Sequence, residues 1–423
     1  MHRLHRLLIG LLLCADTFVS AQVRLSFEDD EVPQPQTQTN VHQPPTPFRA
    51  VWISTVANID WPSEEAQGHT LLQQQEMRHL LDEVVRLHFN TIIFQVRPTA
   101  DAIYPSPYEP WSHWLTGRQG QNNDIPYDPL QFVLDEAHKR HLDVHVWINP
   151  YRVNLARTDI SELDSTHIFY QHPEMFWKYN GQWYFEPGLD ETRLWLGKIV
   201  ADLLLRYDIQ GIHMDDYFYP YPDHKTELPD STCFRLHPRD FDNIQDWRRN
   251  NTNLIICELH DLIKAIKPSV QFGISPFGIW RNESSDPDGS KTNGLQNYDE
   301  LYADVKLWME EGWIDYVVPQ LYWHIGSRAA DHKELAHWWA QHCYNTHLYI
   351  GMAPYQLVDR KQVSAAEWKR KKNTAWAQPN EICRQLHLHE QIPQIEGQVF
   401  FSISHLLKNP LGICDSLQVY YAK

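Results

Sequence analysis

The stretch Gly211 to Pro220, "GIHMDDYFYP", places two adjacent carboxylates, Asp215 and Asp216, after an apolar run and before three aromatics. A solvated loop accounts for the acids but not the rings, and a buried strand accounts for the apolar run but not the acids. A strand ending in the mouth of a pocket accounts for all three. Cleavage of a glycosidic bond needs two carboxyl groups at such a place, one as acid and one as nucleophile or base. Side chains alternate along a strand, so Asp215 shares a face with His213, and Asp216 faces the other way unless the strand has already ended. Asp215 is therefore the first candidate, with an ion pair to Arg97 or Arg152 as the structural alternative. The second carboxyl is left open between Asp216 and Asp101, which closely follows a strand-like run in "RPTADAIYPS". Glu186, Glu283, Asp286 and Asp288 lie in later loops and rank below it. Capping a loop is the alternative role for Asp216 and Asp101.

Arg97, Arg152 and Arg281 each directly follow a strand-like run. Three cations around one mouth fit an anionic group on the ligand, such as a carboxylate-bearing sugar. Pairing with Asp215, Asp216 and Asp101 is the alternative, and the two roles can coexist. Asn149, Gln320, Tyr322 and Trp323 fall at strand ends and are expected to position substrate with Tyr151, His213, Tyr217 and Trp280. Trp52, Tyr104, Trp111, Trp147 and Tyr219 add to a set of rings at or beyond strand ends. Sugar faces stack on such rings, while the remainder pack in the core. "HMDD" offers His213 and Asp215 to a metal but no third ligand at fixed spacing. No glycine-rich phosphate loop and no GxSxG elbow occurs. Neither a metal nor a cofactor is expected.

These residues sit in eight strand-like runs, at 49–55, 91–97, 143–149, 211–218, 270–278, 316–323, 348–355 and 398–404. Helix-like segments follow them: Leu71–Leu87, Pro129–His141, Glu191–Tyr207, Asp240–Ile266, Asp299–Glu311, Ala329–Tyr344 and Asn380–Gln391. Strand alternating with helix implies a parallel sheet, and eight such units imply a closed (β/α)8 TIM barrel with elaborated strand-end loops. A doubly wound open sheet is the alternative, disfavoured because no phosphate loop follows the first strand. Polar residues gather toward the C-terminal ends of the strands, the face where such barrels carry their active sites.

The 423-residue chain is 42% hydrophobic and 22% charged, with 17 Trp and 20 Tyr. Its formal charge of −17 opposes nucleic-acid binding. "MHRLHRLLIGLLLCADTFVSAQ" has the basic, apolar and small-residue zones of a signal peptide, with cleavage expected after Ala21. Leu13 stands where a small residue would precede a lipidated Cys14, so a lipoprotein is the minor reading. The apolar run is too short to span a bilayer, and the mature chain is expected to have no transmembrane segment. Residues 22–47 are acidic, then Pro/Gln/Thr-rich, and are expected to be a disordered linker before the barrel at 48–423. Five scattered cysteines remain after cleavage, so at least one thiol is expected to be free.

Six ordered motifs, "FRAVWISTVANIDWPS", "FQVRPTADAIYPS", "WINPYRV", "GIHMDDYFYP", "FGISPFGIWRN" and "PQLYW", together resemble the glycosyl-hydrolase-like 10 family, once termed domain of unknown function 187. The resemblance runs from Pro47 to about Ser404. It implies a (β/α)8 barrel in an exported, periplasmic or outer-membrane-associated bacterial protein that cleaves glycosidic bonds. It further implies peptidoglycan strands stripped of stem peptides as substrate, the lactyl carboxylate of N-acetylmuramic acid meeting the arginines. The fourth run is similar to the α-amylase pattern, in which Asp215 would be the nucleophile. His213 replaces that pattern's arginine, and the fifth run lacks its glutamate acid. A non-catalytic glycan-binding barrel is the alternative function.

Overall fold

The computed structural model describes residues 47–121, 125–155, 159–223 and 225–422. The expected signal peptide, and the expected linker save its last residue, lie outside them. Eight parallel strands close a barrel: β1 (Phe48–Ile53), β2 (Thr91–Arg97), β3 (Asp143–Ile148), β6 (Gly211–Met214), β7 (Gln271–Ile274), β8 (Tyr316–Val317), β9 (His347–Met352) and β10 (Ile395–Phe400). Around the ring they run β1-β10-β9-β8-β7-β6-β3-β2. An antiparallel hairpin, β4 (Phe176–Tyr179) and β5 (Gln182–Phe185), is inserted after β3. Its turn, Asn180-Gly181, has positive φ at both residues, and Asn-Gly is the pair that tolerates such a turn best.

The helices lie where the apolar spacing puts them. Helix Thr70–Arg86 buries Met77, Leu80, Leu81 and Val84, one stripe at helical spacing. Helix Pro129–His138 starts with proline, and the Asp128 carboxylate caps it by accepting from the Gln131 N–H at 3.1 Å. The expected helix over 299–311 is instead two short ones, Asn297–Glu300 and Val305–Glu310. All strands but β2 stop short of their predicted runs. The largest differences are at β6, which ends at Met214, β7 at Ile274, β8 at Val317 and β10 at Phe400, and the rest of each run becomes rim loop or, after β10, the start of a short helix.

One apolar core fills the space between strands and helices. A second, smaller one fills the lumen, with Trp52, Ile93, Trp147, Tyr316, Tyr349 and Val399. The lumen also holds polar rings. Trp52 Nε1 can only donate, and at 3.4 Å from His213 Nε2 it makes that nitrogen an acceptor. His213 Nδ1 then donates to the Tyr316 hydroxyl at 3.1 Å, which donates to His145 Nδ1 at 2.8 Å. Both imidazoles are neutral: burial pushes His145 down to about 3 and holds His213 well below its ordinary value, with His145 adding to the effect. Room for this layer comes from Gly273, where a Cβ would stand 2.0 Å from the Tyr316 ring.

Candidate active site

Loops leaving the C-terminal ends of the strands enclose a cleft of about 600 Å³. Its floor carries Asp215 and Asp216 and its walls carry Trp52, Trp147, Tyr217, Tyr221, Phe277, Tyr322, Trp323, Tyr355 and Phe401. Among the described residues, the carboxyls that line it are those two. Because β6 stops at Met214, strand alternation no longer separates the neighbours, and both side chains reach the cleft. They are 4% and 3% exposed.

The hydrogen bonds around Asp215 have a direction that backbone chemistry fixes. The N–H groups of Thr55 and Val56 both reach Gln95 Oε1 at 2.9 Å, joined by the Ser54 hydroxyl at 3.1 Å. Backbone N–H groups only donate, so that atom of Gln95 must be the oxygen. Gln95 Nε2 therefore faces Asn149 and donates to its Oδ1 at 2.5 Å. Asn149 must then turn its Nδ2 to Asp215 Oδ2, to which it donates. Trp147 Nε1 donates to the same oxygen at 3.3 Å. Oδ2 of Asp215 thus meets two groups that cannot accept a proton. Oδ1 keeps one long contact, from the Tyr217 N–H at 3.4 Å.

Asp216 has different company. The Tyr221 hydroxyl bonds its Oδ2, and a hydroxyl can donate or accept. Burial pushes Asp215 far above the ordinary carboxylate range, the charge of Asp216 pushes it further, and Arg152 pulls it back. Burial likewise raises Asp216, against the hydrogen bond from Tyr221. Two such carboxyls titrate as a pair and hold one proton between them at pH values where a free aspartate has lost its own.

Among the described residues, Arg152 is the arginine that lines the cleft; it donates to the Pro98 carbonyl through Nη2 at 3.1 Å and lies over the Tyr217 ring. The other two are spent elsewhere. Arg97 is fully buried and clamps Glu109, with Nε at 2.8 Å and Nη2 at 2.6 Å from the carboxylate. A bulge in β2 between Gln95 and Arg97 breaks the alternation that aims both at the rim. Arg97 also donates to the backbone carbonyls of Asn149 and Pro150, so its service to the site is to hold the backbone that carries Asn149. Arg281 pairs with Asp286 and, at 2.8 Å, with Asp299. The expected cluster of three cations on one ligand is therefore reduced to Arg152.

Tyr217, Gln320, Tyr322 and Trp323 line the cleft as expected. Asn149 stands directly behind Asp215, and His213 lies below in the lumen. Tyr151 and Trp280 are in the core and off the cleft. Asp101 is also off it. It accepts from the N–H and hydroxyl of Thr99, the His113 N–H and Gln119 Nε2, all at 3.1–3.3 Å, and organises its own loop. Glu186 is buried and accepts from the Gly188 N–H at 3.0 Å, while Glu283 and Asp288 are exposed in a loop. Sequence reasoning missed Gln95, Tyr221, Ser275, Tyr355 and Phe401. Tyr221 sits one residue past the motif that exposed the aspartates, and Gln95 shares the polar face of its strand.

Comparison with known proteins matches residues 47–370 to the family described as glycosyl hydrolase-like 10. The protein named glycosyl hydrolase YngK of Bacillus subtilis is 46% identical over 374 residues, 88% of this chain and 71% of that one. Glycosyl hydrolase DigH of Escherichia coli K12 is 38% identical over 416 residues, 95% of this chain and 92% of that one. Among solved structures, alpha-L-fucosidase isoenzyme 2 from Paenibacillus thiaminolyticus superposes over 89% of this chain with a TM-score of 0.53 at 10% identity. This chain spans about half (49%) of that enzyme's length, and the likeness is one of fold.

Proposed function

The chain belongs to the glycosyl hydrolase-like 10 family, and on that premise we propose that Asp215 and Asp216 together cleave glycosidic bonds in an extracytoplasmic polysaccharide. The observation that carries the proposal is the unequal hydrogen bonding of two coupled carboxyls on one cleft floor. Asp215 Oδ2 faces two pure donors and suits the charged member. Like charge raises whichever carboxyl ionises second, and Asp216, whose hydroxyl partner Tyr221 donates to the carboxylate but can accept from the acid, suits that role. Asp216 is thus the general acid, passing its proton to the leaving glycosidic oxygen, and Asp215 is the nucleophile or base, presenting Oδ1 to the cleft. Unlike Asp101, Asp216 lines the same cleft as Asp215.

Aromatic walls supply stacking faces for sugar rings. Gln320 adds an amide and Arg152 a cation for an acidic substituent. The substrate class proposed is bacterial cell-wall glycan, peptidoglycan strands free of stem peptides foremost, met after export and removal of residues 1–21. The test is release of reducing ends from denuded peptidoglycan strands and from neutral glycans by the wild type and by Asp215→Asn. Turnover on the anionic strands, with a loss of about 10³-fold or more in the variant, supports the reading. An unchanged rate in the variant removes Asp215 from the chemistry. Binding without turnover on the whole panel favours a glycan-binding barrel, a reading helped by the absence of a carboxyl from the cleft wall after β7, which offers Ser275 and Phe277.

A further inference from the structure

We propose that Gln95 is a positioning residue of this site, the centre of an amide relay that ties the β1 loop of the cleft wall to the orientation of Asp215. The inference rests on the reading of Asp215 as the charged carboxyl, and extends it to a residue that touches no ligand. Three donors of Ser54, Thr55 and Val56 converge on Gln95 Oε1, and its amide nitrogen reaches Asn149, whose amide nitrogen reaches Asp215. Every link is buried: Ser54, Thr55, Gln95 and Asn149 are each 0% exposed. Water therefore cannot substitute for a missing link, and each amide has a single orientation that satisfies its neighbours.

The order of the relay has a chemical consequence. Starting from backbone N–H groups, each amide passes a donor forward, and the last donor meets a carboxylate oxygen. Reversing one amide reverses all those beyond it, and a carbonyl oxygen would then face Asp215 Oδ2. The relay thereby fixes which oxygen of Asp215 is held and which is free, leaving Oδ1 for the reaction. Ser54, Val56 and Ala57 also line the cleft, so a shift of that wall is transmitted through Gln95 to the carboxylate.

The discriminating substitution is Gln95→Glu, which keeps the shape and the acceptor for the β1 loop but, when ionised, offers Asn149 no donor. Asn149 must then turn its Nδ2 toward residue 95 and its oxygen toward Asp215. Asp215→Asn provides the complement, because Asn at 215 can donate to that oxygen. The experiment is a double-mutant cycle of melting temperature at pH 8 on the full chain, with Gln95→Glu, Asp215→Asn and the pair. Expected is a lower melting temperature in Gln95→Glu that Asp215→Asn largely restores. An equal cost of Gln95→Glu with either residue at 215 overturns the relay and leaves Gln95 as a loop anchor only. Gln95→Met, which fills the space without hydrogen bonds, is the second variant. Its kcat should fall about 10²-fold with KM little changed, and a rise in KM alone also overturns the proposal. The cycle needs no turnover. A wild type inert toward every glycan, with coupling present in the cycle, would sink the hydrolase reading and leave the relay standing.

Discussion

Asp215 and Asp216 are one peptide bond apart, yet their neighbours differ in what they can do with a proton. Trp147 and Asn149 only donate to Asp215, whereas the Tyr221 hydroxyl beside Asp216 can do either. Burial raises both carboxyls, so each holds its proton to higher pH when folded than when unfolded. The sign follows: their contribution to stability is present below the unfolded carboxylate value near 4 and is lost as pH rises through the folded value. Asp216→Asn removes that penalty, so it should stabilise the fold at neutral pH, on the order of 1 kcal/mol, while activity is lost. Melting curves at pH 7 and pH 4 check this, the gain shrinking at the lower pH. Arg152 pulls against the rise, so Arg152→Ala should move the limbs of the pH–rate profile to higher pH, read from kcat/KM between pH 4 and 9. Glu109→Gln should act quite differently. It leaves Arg97 buried with an unmatched charge and should cost about 3–5 kcal/mol of stability, visible in denaturant unfolding, with KM for glycan unchanged in the folded fraction. The motif around the aspartates was legible as residues alone, because acids and rings rarely follow an apolar run without a pocket. The fates of Arg97 and Arg281 were not, since Glu109 and Asp299 join them only through loops whose paths no local pattern specifies.

At the level of elements, eight strands were readable from their spacing and from the helices between them. Their ends were not. Runs such as 316–323 keep β-type composition well past the regular strand that ends at Val317, beyond which Gln320 makes isolated bridges to Phe277 and Gly351, because rim loops of this barrel use the same aromatics as its strands. That early ending puts Gln320, Tyr322 and Trp323 on the cleft. The bulge in β2 is equally silent in sequence, and it decides that Gln95 serves the site while Arg97 serves the backbone behind it. Between strands, the lumen is shaped by glycines that admit large neighbours. Gly273→Ala should push into the Tyr316 ring and disturb the hydroxyl bridge between His145 and His213. A loss of about 1–3 kcal/mol is expected, measurable as a lower denaturant midpoint with unchanged slope. The ring is closed on the rim by Asp60, which accepts from the Ser54 N–H at 2.7 Å, the Ser402 hydroxyl at 2.7 Å and the Ser404 N–H at 2.9 Å. This tie holds the first and last rim loops together beside Phe401, another wall of the cleft.

For the whole molecule, the closed barrel extends past the family match over residues 47–370, with β10 and the helix Ile413–Tyr421 beyond the matched region completing it. No described helix is long and apolar enough to cross a membrane. Cys233, Cys257, Cys343, Cys383 and Cys414 are all free thiols, consistent with a core large enough to stand without disulfides. The net charge of −17 sets the long-range field. An anionic glycan is repelled as it approaches, so kcat/KM on such strands should rise with added salt up to about 0.15 M, while a neutral glycan should show little change. Steady-state rates across a salt series on both substrates check this. All of it turns on two adjacent carboxyls working as one unit. The most direct test is kcat/KM on one glycan substrate for Asp215→Asn, Asp216→Asn and the double variant. The unit predicts a loss of about 10³-fold or more in each single variant and little further loss in the double. A wild-type rate in either single variant, or losses that simply multiply, would contradict it.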